Sequence, residues 1–364
     1  MKGKVKHYFP GGNTSKGFYS LYRYIMPQNK AKRIFCIKGG PGTGKSSFMK
    51  KIGEYYNEKG YDIEYQHCSS DNNSLDGVVI KGLNVVFLDG TAPHVVDPIN
   101  PGAVDEILNM GEYWNEEGFQ KYRNNVIEMN KEVGKTFKRA YKYIAAAKLV
   151  HDDWCSYYND NLNYSKLNLM SEYLKEEILN KKIDLPGSER HMFATAFTPD
   201  GIVTFIENLS ADLNTKYVLS GPPTIGKHII LEYLLQEGLK RGYYIEVLHS
   251  PLIPDRIEHL LFPEIGTAIL TSNEINNKNF NGHEINLENM INTNLIKKYN
   301  SQIEESKNEF YSLLNKGLDS IFKAKTIHDK LETYYVPNMK FEEIDKLFEN
   351  IIARISKYET ELKK

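Results

Sequence analysis

33-RIFCIKGGPGTGKSSFMKKIG-53 holds Gly39, four residues, and then Gly44-Lys45-Ser46. Ile34 to Ile37 form a short apolar run, the mark of a buried strand, and Phe48, Met49 and Ile52 recur at helical spacing after the loop. A strand, a glycine-rich loop and a helix in that order make a phosphate-binding loop. Gly39, Gly40, Gly42 and Gly44 let the backbone fold tightly and aim its N–H groups at phosphate oxygens. Pro41, Thr43 and Ser47 complete the cradle, and the helix adds its positive N-terminal end. Lys45 neutralises the β- and γ-phosphates, and the Ser46 hydroxyl binds Mg²⁺. The expected ligands are therefore ATP and Mg²⁺.

Such a loop needs a second element, an apolar strand ending in aspartate. 84-NVVFLDGTAPH-94 supplies it, with Asp89 after Val85 to Leu88, placed to hold magnesium through water. Lys45 and Asp89 are thus the first catalytic candidates. Asp89 is followed by Gly90, so the glutamate that activates water in many ATPases is missing from that position. The polar stretches 67-HCSSDNNSLDG-77 and 89-DGTAPHVVDP-98 end near the same strand tips. Their Asp71, Asp76, His94 and Asp97 are candidates to orient a water or an acceptor, Asp71 and His94 above all. Ordinary turn chemistry accounts for them equally well. Arg33, Arg123, Arg139 and Arg190 are all available as an arginine finger, and spacing does not choose among them.

A second loop, 219-LSGPPTIGKHII-230, repeats the outline at an offset of 182 residues, which pairs Gly39 with Gly221, Lys45 with Lys227, His67 with His249 and Leu88 with Leu270. Upstream the offset is 184, pairing His7 with His191 and Phe9 with Phe193. Downstream, 146-AAKLVHDDWCSYY-158 matches 323-KAKTIHDKLETYY-335 at offset 177. The chain therefore reads as two copies, residues 1–186 and 187–364. In the second copy Pro222 replaces Gly40, Thr224 replaces Gly42, His228 replaces Ser46 and Thr271 replaces Asp89. Both magnesium positions are lost together, which points to a lobe without hydrolysis. Residues kept in both copies, such as His7, His67, His151 and Asp152, read as structural. Those lost from the second read as functional.

The expected fold is α/β: two tandem P-loop NTPase-like lobes with parallel sheets, each carrying an appended helical segment, the second lobe degenerate. Strands are expected near 33–38, 62–67 and 84–89, with a helix near 44–58. Residues 103–180 read as mostly helical, with Phe137, Ala140, Tyr141, Ile144 and Ala147 on one face. Phe341, Ile344, Leu347, Phe348, Ile351, Ile352 and Ile355 do the same in the second half. The first helical segment also has the position of a lid.

The bulk composition is that of a globular protein. The 364 residues are 41% hydrophobic and 26% charged, with a net charge of -1, so nothing signals bulk binding to nucleic acid or to an acidic membrane, and a local basic patch stays open. Cys36, Cys68 and Cys155 have no zinc spacing and fit a reducing compartment. The start MKGKVKHYFP has no apolar core of a leader, and no run approaches the ~18 apolar residues of a membrane span. The expectation is a cytoplasmic protein.

Together, 11-GGNTSKGFYS-20, 38-KGGPGTGKSSFMKKIG-53, 67-HCSSDNNSLDG-77 and 88-LDGTAPHVVDP-98 resemble a family of tandem P-loop ATPases from Firmicutes. The resemblance covers the whole chain. It implies ATP binding and hydrolysis, with no established substrate and no known protein partner. An ATPase with one active lobe is therefore the leading reading. A small-molecule or nucleotide kinase and a nucleotide-sensing module with little turnover are the alternatives. A GTPase is disfavoured: Asp89-Gly90-Thr91-Ala92 lacks the D-x-x-G glycine, and there is no N-K-x-D motif.

Overall fold

A computed structural model describes residues 1–92, 95–223 and 225–362. The first half contains strands β1 (Val5–Tyr8), β2 (Gly11–Thr14), β3 (Gly17–Ser20), β4 (Arg33–Lys38), β5 (Ile63–Cys68), β6 (Asp71–Ile80), β7 (Val85–Asp89) and β8 (Asp105–Asn109). Its helices are α1 (Lys45–Glu58), α2 (Glu116–Gln120), α3 (Arg123–Asn159) and α4 (Tyr164–Ile178). The second half contains β9 (Ser188–Met192), β10 (Thr195–Thr198), β11 (Gly201–Thr204), β12 (Thr215–Ser220), β13 (Tyr244–His249), β14 (Ile257–Phe262), β15 (Thr267–Thr271) and β16 (His283–Asn286). Its helices are α5 (Ile206–Leu209), α6 (Lys227–Lys240), α7 (Thr293–Ile296), α8 (Asn300–Tyr335) and α9 (Phe341–Leu362).

Each half builds a six-stranded sheet, ordered β1-β5-β6-β7-β4-β8 in one and β9-β13-β14-β15-β12-β16 in the other. The orders are the same element for element. The expected parallel sheets are in fact mixed. β6 runs antiparallel to both β5 and β7, and β14 does the same between β13 and β15. The polar run at 71–74, read as loop, opens a hairpin instead and leads into the fully buried stretch Leu75–Ile80. Gly77 fits there because a Cβ would lie 2.9 Å from the Phe87 carbonyl oxygen. The expected helical region also begins later than its sequence suggested. β8 precedes it and pairs in parallel with β4.

The strands alternate between two cores. Phe35, Ile37, Val85 and Phe87 face α1, together with Phe48, Met49 and Ile52. Ile34, Cys36, Val86 and Leu88 face the other way and meet Leu248, Leu261, Ala268 and Leu270 of the second sheet. The two sheets thus share one apolar core. Burial on both faces explains why their strands read as continuous apolar runs. At the seam, Phe9 and Phe193 exchange backbone hydrogen bonds, 3.0 Å in each direction. Residues that match between the halves touch each other, as at a twofold axis.

The helical segments do not stay with their own halves. Ile344, Ile351 and Ile355 of α9 complete the core of the first sheet, beside Phe35 and Met49. Arg354 of α9 donates to both carboxylate oxygens of Glu106 on β8, at 2.7 and 2.5 Å. Reciprocally, Leu167, Leu174 and Ile178 of α4 lie in the core of the second sheet with Leu231 and Leu234. The long helices α3 and α8 cross between the halves and bury Ala140, Ile144 and Ala147 against Phe310, Leu314 and Ile321. Gly317 makes that approach possible, since a Cβ there would sit 2.8 Å from Ile144 Cγ1. The apolar stripes at 137–147 and 341–355 are core-facing as expected, but part of the surface they cover belongs to the opposite half. Among the described residues no helix is long and apolar enough to cross a membrane.

Candidate nucleotide site

β4 delivers the chain to Gly39 at the tip of the first sheet, and the loop runs into α1 through Gly44. Gly44 has φ +87° and Gly42 has φ +64°, a region that L side chains rarely adopt. Gly44 is the N-cap of α1, and no side chain caps that end. The first N–H groups of the helix have no partner within it, which is the arrangement that binds anions. Thr43 is buried, and its hydroxyl donates to the Gly40 carbonyl at 2.9 Å, which braces the turn. Pro41 is half-buried on the loop, and Ser47 is exposed on the first turn of α1.

Lys45 Nζ donates to the carbonyls of Gly39 and Gly40 at 2.9 and 2.7 Å and lies 3.6 Å from Asp89 Oδ2. Asp89 ends β7 beside Ile37 of β4, so strand pairing brings the carboxylate to the loop. Its Oδ1 accepts from Thr91 N at 2.8 Å, and the Thr91 hydroxyl donates to Gly39 O at 2.9 Å. Ser46 Oγ accepts from Leu75 N at 2.9 Å. A flexible cation, a hydroxyl and a carboxylate thus surround a glycine turn. The oxygen donors suit Mg²⁺, which takes one or two protein oxygens beside those of a phosphate. The residues fit the ATP and Mg²⁺ expected from sequence.

The model of the KAP family P-loop domain matches residues 16–362. This chain belongs to the KAP family of P-loop domains. No curated protein and no solved structure matches it. Membership supports nucleotide binding and an ATPase type of function for the KAP chain.

The other candidates scatter. Asp71 accepts from Ser74 Oγ at 2.7 Å and lies 3.5 Å from Lys325 Nζ of α8, so it faces the opposite half of the chain. Asp97 is held by Lys38 Nζ at 2.9 Å. Asp76 is buried in β6 near Tyr22. His94 lies outside the described residues, as does Thr224. Of the four arginines, Arg33 starts β4 at the far end from the loop and donates to Gly102 O. Arg139 is engaged with Tyr143 on α3. Arg190 is buried in a bidentate pair with Glu64 between the halves. Arg123 lines a cleft beside the loop.

Sequence reasoning missed the end of α8. Glu332, Tyr335 and Val336 lie over the loop: a Cβ on Gly40 would meet Tyr335 Cε1 at 2.4 Å, and one on Gly42 would meet Val336 Cγ2 at 3.1 Å and Glu332 Cβ at 3.4 Å. Their segment was visible as a repeat of 146–158. Nothing local in it says which loop it covers.

In the second half Lys227 repeats the gesture of Lys45, donating to Gly221 O at 2.9 Å, but its other partner is Ser272 O at 3.0 Å. Burial pushes its pKa down. Thr271, in place of Asp89, donates to the Glu258 carbonyl at 2.9 Å. His151 of α3 and Glu274 form a buried pair at 2.5 Å close by. Burial works against both charges, yet hydrogen bonds to Cys155 and then to Glu274 raise the His151 pKa, and the bond to His151 lowers that of Glu274. The space left against Lys227 is about 50 Å³, room for a few waters.

The retained His7 and His67 pair with each other inside the fold. His7 Nδ1 and His67 Nε2 are 2.8 Å apart, and His67 Nδ1 is 2.9 Å from Asn72 O. A carbonyl only accepts, so His67 donates from Nδ1; burial lowers its pKa, and the neutral ring then accepts at Nε2 from His7. Burial pushes His67, His249 and His228 down to about 4 and His259 to about 3. Unfolded, each returns to about 6.5. The unfolded chain therefore binds more protons between pH 6.5 and 4, and stability falls as pH drops through that window. Glu258, raised to about 7 by burial, acts in the opposite direction. Four imidazoles outweigh one carboxyl, and the lowered His7 and His328 act in the same direction, so stability should fall from pH 7 to pH 5. Urea midpoints at pH 7 and pH 5 test this. A flat profile refutes it, and His67→Gln reduces the slope.

Proposed function

We propose that the first lobe binds Mg·ATP and hydrolyses it, while the second lobe is a non-catalytic copy that serves the first through its helices. The observation that carries this is the contrast between the two lysines. Lys45 sits between the loop carbonyls and the Asp89 carboxylate, whereas Lys227 has a backbone carbonyl in place of that carboxylate. On this reading Gly39 to Ser46 hold the phosphates, and Ser46 and Asp89 hold the magnesium. The metal supplies charge neutralisation on the phosphate oxygens. The units of duplication are residues 1–186 and 187–364, with their helices exchanged. Phosphate release from Mg·ATP by the purified chain is the test. Tight binding of ATP without release sinks the hydrolase.

The glutamate absent after Asp89 comes, on this reading, from the opposite half. Glu332 of α8 is the candidate: its Cβ and carbonyl oxygen lie 3.4 Å from a Cβ placed on Gly42, and its carboxylate is 3.7 Å from His328 Nδ1, one turn back along the helix. General-base assistance contributes about 10²–10⁴-fold. Glu332→Gln is expected to lower turnover by ~10²-fold or more and to leave ATP binding in place. Unchanged turnover assigns water activation elsewhere. A nucleotide-sensing role has support in the same contacts, because any rearrangement of the loop on binding meets α8 and α9 directly.

A further inference from the structure

Beside the first loop lies a cleft of about 480 Å³, within the range of small-molecule sites. α2, the start of α3 and the end of α8 form it. Its walls carry Trp114, Phe119 and Tyr335, with Ile127 at one edge and Glu116, Gln120 and Arg123 as polar groups, Glu116 and Arg123 being of opposite charge. The Phe119 ring is 5.8 Å from Trp114 and 4.9 Å from Tyr335, both near edge-to-face. Trp114 is 37% exposed and Ile127 39%, so apolar surface remains open to the cleft.

The cleft adjoins the loop, because Tyr335 is both its wall and the ring against Gly40. It also lies on a defined side. β4 has β7, with Asp89, on one flank and β8 on the other. Trp114 follows β8 after one short turn. A triphosphate with its γ end toward Asp89 therefore points its nucleoside end to the β8 side. Aromatic walls suit a nucleobase, since every base has a π-face to stack. The Gln120 amide carries an NH₂ donor group and a carbonyl acceptor side by side, the arrangement that matches adenine N7 and N6.

The other half lacks this cleft wall. Paired backbone bridges, Trp114 with Met339 and Leu162 with Ile291, show that offset 177 still holds here. Phe119 then corresponds to Ile296, which is 8% exposed inside the helical core.

We propose that this cleft binds the purine base of the nucleotide, with Trp114 and Phe119 as stacking surfaces and Gln120 selecting adenine. The proposal rests on the reading that the first loop binds a triphosphate. The test measures calorimetric affinity for ATP, GTP and inorganic tripolyphosphate, each with Mg²⁺, on the full chain. Phe119→Ala and Trp114→Ala should weaken ATP about tenfold to a hundredfold and change tripolyphosphate by less than twofold. Gln120→Ala should remove the preference for ATP over GTP. Trp114 is one of two tryptophans, so ATP should also change the intrinsic fluorescence, and this change should vanish in Trp114→Phe. Equal losses for ATP and tripolyphosphate, or no loss for either, overturn the base site. Wild-type protein that binds tripolyphosphate as tightly as ATP overturns it while sparing the loop. Wild-type protein that binds neither overturns both.

Discussion

Lys45→Ala is expected to abolish phosphate release from Mg·ATP, with a drop of at least ~10²–10³-fold, the size seen when one preorganised electrostatic contact to the transition state is removed. The ammonium bridges the loop carbonyls and lies 3.6 Å from Asp89. Nothing else on the loop carries positive charge. A methyl group in its place leaves the β- and γ-oxygens facing only N–H dipoles and leaves Asp89 without its nearest cation. Each charged hydrogen bond lost costs about 1.5–3 kcal/mol, so ATP affinity should fall by tenfold or more. The second loop provides the internal control. Lys227 is 5% exposed, and burial already lowers its pKa, so Lys227→Met removes a cation that the fold accommodates poorly. Its turnover should stay within about twofold of the parent chain. Persistent release by Lys45→Ala, or equal losses in both variants, would remove the assignment of activity to the first lobe.

Arg190→Ala should cost about 3–5 kcal/mol of stability, the range for a buried ion pair that loses one partner. Arg190 of β9 donates to both oxygens of Glu64 on β5, at 3.0 and 2.6 Å, and to the Tyr24 carbonyl at 3.1 Å. It also lies 4.9 Å over the Tyr8 ring. Glu64 is 4% exposed. Burial alone would raise its pKa, but Arg190 and then Lys81 outweigh that and hold it at about 2. A carboxyl depressed in the fold contributes stability above its unfolded pKa of ~4.3, and this is lost as pH falls toward 2. Without Arg190 the carboxylate stays buried with Lys81 at 3.2 Å and Glu246 nearby. Urea denaturation near pH 7 reads the loss. Arg190→Leu combined with Glu64→Leu should recover most of it, because an apolar pair replaces the charges. A loss below ~1 kcal/mol in the single variant would mean that water reaches Glu64 and that the halves are held by their apolar core alone.

Arg190 also shows where reading the chain stops. It was one of four arginines eligible for the γ-phosphate, and only its tertiary partners exclude it. The mixed sheet was obscured in a similar way. Asp71 to Ser74 are turn formers, and the apolar stretch after them also fits a strand in either direction. Direction follows from the tight hairpin between β5 and β6, which needs pairing to be seen. His94 remains outside the described residues, so its candidacy stands as sequence evidence alone.

The phosphate loop, its flanking strand and helix and the Asp89 strand were determined by sequence, because their causes are local. Glycines are needed where φ is positive, an apolar run marks a buried strand, and i, i+3 spacing marks a helix face. The likeness of the two halves was equally legible, as fixed offsets between identical residues. Tertiary structure alone decided which half covers which loop. An amphipathic stripe such as Ile344, Ile351 and Ile355 specifies that a partner surface is required. With two similar sheets in one chain it does not specify which. The crossing of α3 and α8 settles that choice by carrying each terminal helix to the opposite lobe, and it places Glu332 and Tyr335 over a loop more than 280 residues earlier in the chain.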